Sequence, residues 1–163
     1  MNPFPESLWE FSLSIYAQPE MEALCLYLQD HRGIIVNLLL WALWLDGQLR
    51  SFDKRLWQQG VVSSQRAERW LVGPLRSVRR ALPKRKPWLG LRSAVKAWEL
   101  QAEQRQFQVL QSISDDFAGN SPAAEDVTCE TPDGFSTYLS QLLAIQEPEY
   151  QQLTRIVTLW RAG

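Results

Sequence analysis

One histidine and two cysteines among 163 residues leave little on which metal or nucleophile chemistry could be built. Zinc sites of the H-E-x-x-H kind, multi-histidine metal centres and di-iron bundles with paired E-x-x-H motifs all need more than one imidazole. Cys25 and Cys129 lie far apart, form no C-x-x-C and have no zinc spacing. Cys25 falls in an apolar helical pattern and reads as a small core hydrophobe. Cys129 falls in an acidic stretch and reads as a free thiol; reduced thiols fit a cytoplasmic protein. Long hydrophobic runs are missing too. The most apolar stretch, residues 34–45, is interrupted by Asn37 and falls short of the roughly 20 residues a spanning helix needs. Residues 1–6 have neither the positive charge nor the apolar stretch of a signal peptide. No P-loop, G-x-G-x-x-G or G-x-S-x-G occurs. Alternating β-branched runs and internal repeats are absent as well. These absences predict no metal, no cofactor and no transmembrane segment, and lean against an enzyme.

What remains is the material of a helical protein. Hydrophobic residues make up 45% and charged ones 21%, the balance of a chain that folds around a core. Ser7-Leu8-Trp9-Glu10 is a capping box opening a first helix. Met21, Leu24, Cys25 and Leu28 follow the i, i+3, i+4, i+7 stripe of a second, which Gly33 ends. Residues 34–46 are apolar nearly all round, as a central helix covered on every side would be. Ser51 is expected to cap a short helix that ends at Gly60, and Ser63 or Ser64 another that runs to Leu82. Inside the latter, Gly73-Pro74 predicts a kink or two abutting helices. A long helix is expected over residues 88–113. Residues 114–133, with six acids and no base, read as a mobile acidic loop. Two closing helices are expected over 135–145 and 148–160. The prediction is an all-α, single-domain bundle of about seven or eight helices around the central one.

The net charge of −1 conceals a strong asymmetry. Residues 1–49 carry −5, residues 50–96 carry +11 and residues 97–163 carry −7. On a straight helix Arg66, Arg69, Arg76 and Arg80 fall within about 80° of one another. Ala67, Leu71, Pro74, Leu75, Val78 and Leu82 then cluster opposite and are expected to be buried. Arg79, Lys84, Arg85 and Lys86 extend the basic run. Such a stripe is a solvated face neutralised from within the chain, a docking site for an acidic protein, a contact for nucleic-acid phosphates or, least of all, a membrane-surface contact.

A second candidate is a small-molecule pocket around Gln29, Asp30, His31 and Asn37. Alone in an apolar helix, Asn37 needs a partner for its amide, and His31 in a last helical turn suits a carbonyl cap. Glu99 and Glu103, at i and i+4, read as a solvated face, and the Asp115-Asp116 doublet is too sparse for a metal box. The eight tryptophans read mostly as core mass, with Asn37, Gln29 or Asp30 as acceptors for buried indole N–H groups. The two-sided helix at 88–113 is a candidate homodimer face.

Leu8-Trp9-Glu10-Phe11-Ser12-Leu13, Tyr16, Cys25-Leu26, Leu28-Gln29-Asp30, Gly33 and Val36-Asn37-Leu38-Leu39-Leu40 through Leu43-Trp44 form an ordered pattern. Pro74-Leu75-Arg76, Arg79-Arg80 and Leu82 continue it. Over residues 7–86 the chain resembles an uncharacterised, mostly proteobacterial family of small helical proteins labelled as a domain of unknown function. The resemblance implies a cytoplasmic bacterial protein with no assigned activity, and carries no catalytic residue over. The leading expectation is a non-enzymatic protein that binds an acidic partner, protein or nucleic acid, through Arg66, Arg69, Arg76, Arg79, Arg80, Lys84, Arg85 and Lys86.

Overall fold

The computed structural model describes residues 5, 7–48, 52–120, 138–142 and 144–162. Its elements are α1 (Leu8–Tyr16), α2 (Met21–Arg32), α3 (Val36–Gly47), α4 (Lys54–Ala67), α5 (Gly73–Ala81), α6 (Leu89–Asn120) and α7 (Glu147–Ala162). A π-helical turn (Glu68–Val72) joins α4 to α5, and a 3-10 turn (Leu139–Gln141) precedes α7. No strand occurs among the described residues. The fold is all-α, as the hydrophobic patterning predicts. Because α4, the π turn and α5 form one rod of about 42 Å, the described residues contain six long helices, fewer than the expected seven or eight.

The core is built on α3, in which every residue from Asn37 to Gly47 is buried. A helix with no polar side must be covered all round, and α1, α2, α4 and α6 supply the cover. Leu8, Phe11 and Ile15 come from α1, and Leu24, Cys25 and Leu28 from α2. Leu56 and Trp57 come from α4, and Phe107 and Leu110 from α6. Trp41 and Trp57 stack almost parallel, 5.7 Å apart with 4° between planes. The buried indoles find other acceptors than the sequence pattern predicts. Trp41 donates to Ser114 Oγ (2.9 Å) and Trp44 to the Pro5 carbonyl (2.9 Å).

Local signals act at the ends of the first helices. The Ser7 hydroxyl accepts from the Glu10 N–H, and Gly33 ends α2 in a left-handed conformation at φ 67°. Four expectations are corrected. Asp53 rather than Ser51 caps α4, its Oδ1 accepting from Arg55 and Leu56 N–H. Gly60 does not stop the helix: it lies in mid-α4 with the Trp41 ring where a Cβ would stand. Residues 114–120 continue α6 rather than open a loop; the rest of the expected loop, with Cys129, lies outside the described residues. Where a helix was expected over 135–145, the described residues form the 3-10 turn. Buried Asp46 holds its start, accepting from the backbone N–H of Tyr138 (2.8 Å) and Leu139 (3.0 Å).

Candidate functional site

The helix passes through Gly73-Pro74 without a break because the backbone widens. The Gly73 N–H donates to the Glu68 carbonyl, five residues back. Proline removes one donor and its ring crowds the carbonyl four residues earlier; the wider turn relieves that contact. It also inserts one residue, so everything beyond it is rotated by about 100° relative to a straight helix. The buried positions of α4 are Leu56, Trp57, Gly60 and Ser64. After the turn the inward positions are Val72, Leu75, Arg76, Arg79 and Leu82, while Leu71, Pro74 and Val78 lie exposed. The buried face read from a straight wheel is therefore displaced by one residue.

This rotation divides the arginine stripe. Arg76 turns into the seam between α5 and α6, its side chain only 13% exposed. It donates to Glu68 (2.7 Å), Glu99 (3.0 Å) and Glu103 (3.1 Å). With its amide oxygen turned inward, Gln29 of α2 accepts from the same guanidinium at 2.5 and 3.2 Å. Arg79 donates to both oxygens of Glu99, and Arg80 pairs with Asp30 at 2.9 Å. Arg92 reaches back to the carbonyls of Arg79 and Leu82, tying the connector to α6. Glu99 and Glu103 are thus an ion-pair wall and not a solvated face. Burial works to raise the Glu99 carboxyl, but Arg79 and Arg76 outweigh it and hold the group below the usual carboxylate range. In Glu103 burial prevails over Arg76 and its carboxyl is pushed up.

The other basic positions have no such partner. Arg66, Arg69, Lys84, Arg85, Lys86, Lys96 and Arg105 form no ion pair among the described residues. Between residues 66 and 109 the acids are Glu68, Glu99 and Glu103, all turned onto Arg76 or Arg79. Over residues 66–109 the fully exposed charged side chains of the hairpin are therefore all basic, while Asp115 and Asp116 lie exposed farther along α6. Three of the eight tryptophans share the hairpin's exterior: Trp70, Trp88 and Trp98 are 74%, 44% and 54% exposed, a correction to the reading of tryptophan as core mass. The Arg69 guanidinium lies over the Trp70 ring at 5.7 Å.

Gln29, Asp30, His31 and Asn37 each engage a different partner. Asn37 donates to Gln106 at 2.8 Å inside the core. Gln29 and Asp30 face Arg76 and Arg80. His31 is exposed, stacked on Tyr27 at 4.5 Å, with Nδ1 donating to the Tyr27 carbonyl at 3.1 Å. A hollow of about 420 Å³ lies elsewhere, along α7, lined by Glu147, Tyr150, Gln151, Thr154, Arg155, Thr158 and Leu159. Among the described residues no three metal-binding side chains gather, and no helix is long and apolar enough to cross a membrane. Cys25 is a free thiol; burial pushes it up to about 12, far from the range of a reactive cysteine.

The residues the sequence pattern did not single out are Glu68 and the π turn. Their one advance signal is Gly73-Pro74 inside a helical pattern. Among known proteins, a family model described as a protein of unknown function (DUF2390) matches residues 7–110. No curated protein and no solved structure matches the chain.

Proposed function

The chain belongs to this family of unknown function, and on that footing we propose that it is a non-enzymatic binding protein whose α5–α6 hairpin docks an acidic protein partner. One observation carries the reading. Every acid of residues 66–109 is turned onto Arg76 or Arg79, while Arg66, Arg69, Lys84, Arg85 and Lys86 face outward unpaired among the described residues. The folded chain thus sorts its basic positions into a structural set, Arg76, Arg79 and Arg80, and an open set. Exposed Trp70, Trp88 and Trp98 beside the open set favour a protein over nucleic acid, since tryptophan and arginine are the side chains that anchor protein interfaces. The inert thiol of Cys25 fits a cytoplasmic setting.

The test compares the natural chain with a Lys84→Ala, Arg85→Ala, Lys86→Ala variant for partner capture over a salt series, with RNA and DNA measured in parallel. Association with an acidic protein is expected to slow as salt rises, and more steeply in the natural chain than in the variant. Capture that ignores both salt and the three substitutions refutes the reading. Tighter, salt-dependent binding of RNA or DNA assigns the surface to nucleic acid instead.

A further inference from the structure

The hairpin has two unlike flanks, and contacts across its seam fix which residues lie on each. Arg76 and Arg79 meet Glu99 and Glu103 between the helices, which run antiparallel. Arg80 reaches Asp30 on α2, and Phe107 packs on Trp9 of α1 with ring centroids 5.9 Å apart, so these two mark the flank against the body. At about 100° per residue, Leu75 and Val78 of α5, with Leu91 and Trp98 of α6, fall on the opposite flank, and Leu71 in the π turn and Leu82 just past α5 stand at the two ends of the row. Leu71, Val78, Leu91 and Trp98 are 43%, 49%, 46% and 54% exposed, and Leu75 and Leu82 are half-buried between them. From Leu71 to Leu82 the row extends about 16 Å, three turns of helix.

We propose that this flank receives an amphipathic helix with an acidic rim, its apolar side laid along the α5–α6 seam. The inference rests on the reading that an acidic protein docks on the hairpin, and names the shape in which that protein presents itself. Two antiparallel helices leave a groove whose ridges match those of a third helix. The row is leucine and valine except for Trp98, and a single indole among aliphatic side chains that offer nothing to a phosphate suits an apolar helix face better than a run of stacked bases. Charge defines the rim. Lys84, Arg85 and Lys86 stand at the tip of the groove and Arg105 near its other end, all without ion pairs among the described residues. Glu99 and Glu103, the acids of the intervening stretch, are turned onto arginines.

The test uses a labelled peptide of about 18 residues, five helical turns, with leucine at i, i+3, i+4 and i+7 and glutamate around them. A permuted peptide of the same composition is the control, and binding to the full chain is read by fluorescence anisotropy. The amphipathic peptide is expected to bind at least about tenfold more tightly than the permuted one, and Trp98→Ala and Val78→Ser each to weaken it about tenfold. The two variants lie on different helices, and unchanged circular dichroism and melting show that each has folded. Equal binding of both peptides, lost in the Lys84→Ala, Arg85→Ala, Lys86→Ala variant, overturns the helix and leaves the acidic partner standing. Loss of neither overturns both. A dimer in sedimentation that Trp98→Ala converts to monomer assigns the flank to a second copy of this chain and overturns the proposal.

Discussion

Gly60 lies in mid-helix, where alanine is intrinsically better by about 1 kcal/mol. A Cβ there would stand 2.0 Å from the Trp41 ring, and that ring is locked against Trp57 and bonded to Ser114. Packing should outweigh propensity, so Gly60→Ala is predicted to cost about 1–3 kcal/mol in urea denaturation; a stabilised variant would contradict the close approach. Glu99 makes a second prediction with a sign. Its folded carboxyl is held low by Arg79 and Arg76 against the effect of burial, so its stabilisation is present above the unfolded pKa and disappears as pH falls through the folded one. Glu99→Gln leaves Arg79 without an ion pair, while Arg76 keeps Glu68 and Glu103, and should cost about 2 kcal/mol at neutral pH, the gap to the natural chain closing in acid. Glu103 has the opposite sign. Burial raises its folded carboxyl, so the folded state takes up its proton first. Glu103→Gln should leave neutral-pH stability equal or higher, measured by the same denaturation series.

At the scale of elements, the first three helices were legible because their signals are local. A serine hydroxyl caps α1, a left-handed glycine ends α2, and the unbroken apolar run of α3 requires burial on every side. The rod from Lys54 to Ala81 was not legible in the same way. Gly60 has the residue type of a helix stop but serves tertiary contact, and a helical wheel assumes a constant 100° step that the π turn violates. One inserted residue exchanged Val78 for Arg79 and Leu71 for Val72 on the inner face. The basic segment could therefore be read from composition, whereas its division into paired and open cations could not. Gly73 fixes that division, since a Cβ there would meet the Glu68 carbonyl oxygen at 2.4 Å. Gly73→Ala is predicted to destabilise the fold by about 1–3 kcal/mol and to reduce the Arg76–Glu99 coupling in a double-mutant cycle. Unchanged coupling would show that the π turn does not set the register.

For the whole molecule, two kinds of cohesion coexist. The body around α3 is held by buried apolar surface, whereas α5 has no fully buried residue and is fastened largely by charged hydrogen bonds. Concentrated salt shortens the reach of exposed charges to about 3 Å at 1 M and leaves apolar burial in place. Amide exchange at the Arg80 end of α5, whose pair with Asp30 is half-exposed, is therefore predicted to quicken with salt while α3 remains protected; equal response of both would refute this division. The same division separates the indoles. Trp41, Trp44 and Trp57 are buried in the body, and Trp70, Trp88 and Trp98 are exposed on the cationic hairpin. The chain consequently carries its own optical reporters. The stacked pair Trp41 and Trp57 should give an exciton couplet in circular dichroism that vanishes when α4 leaves α3. The hairpin indoles should be quenched by iodide, which the local positive field concentrates, far more than by caesium, which it repels. A ligand seated on the hairpin would abolish that difference between the two ions without touching the couplet.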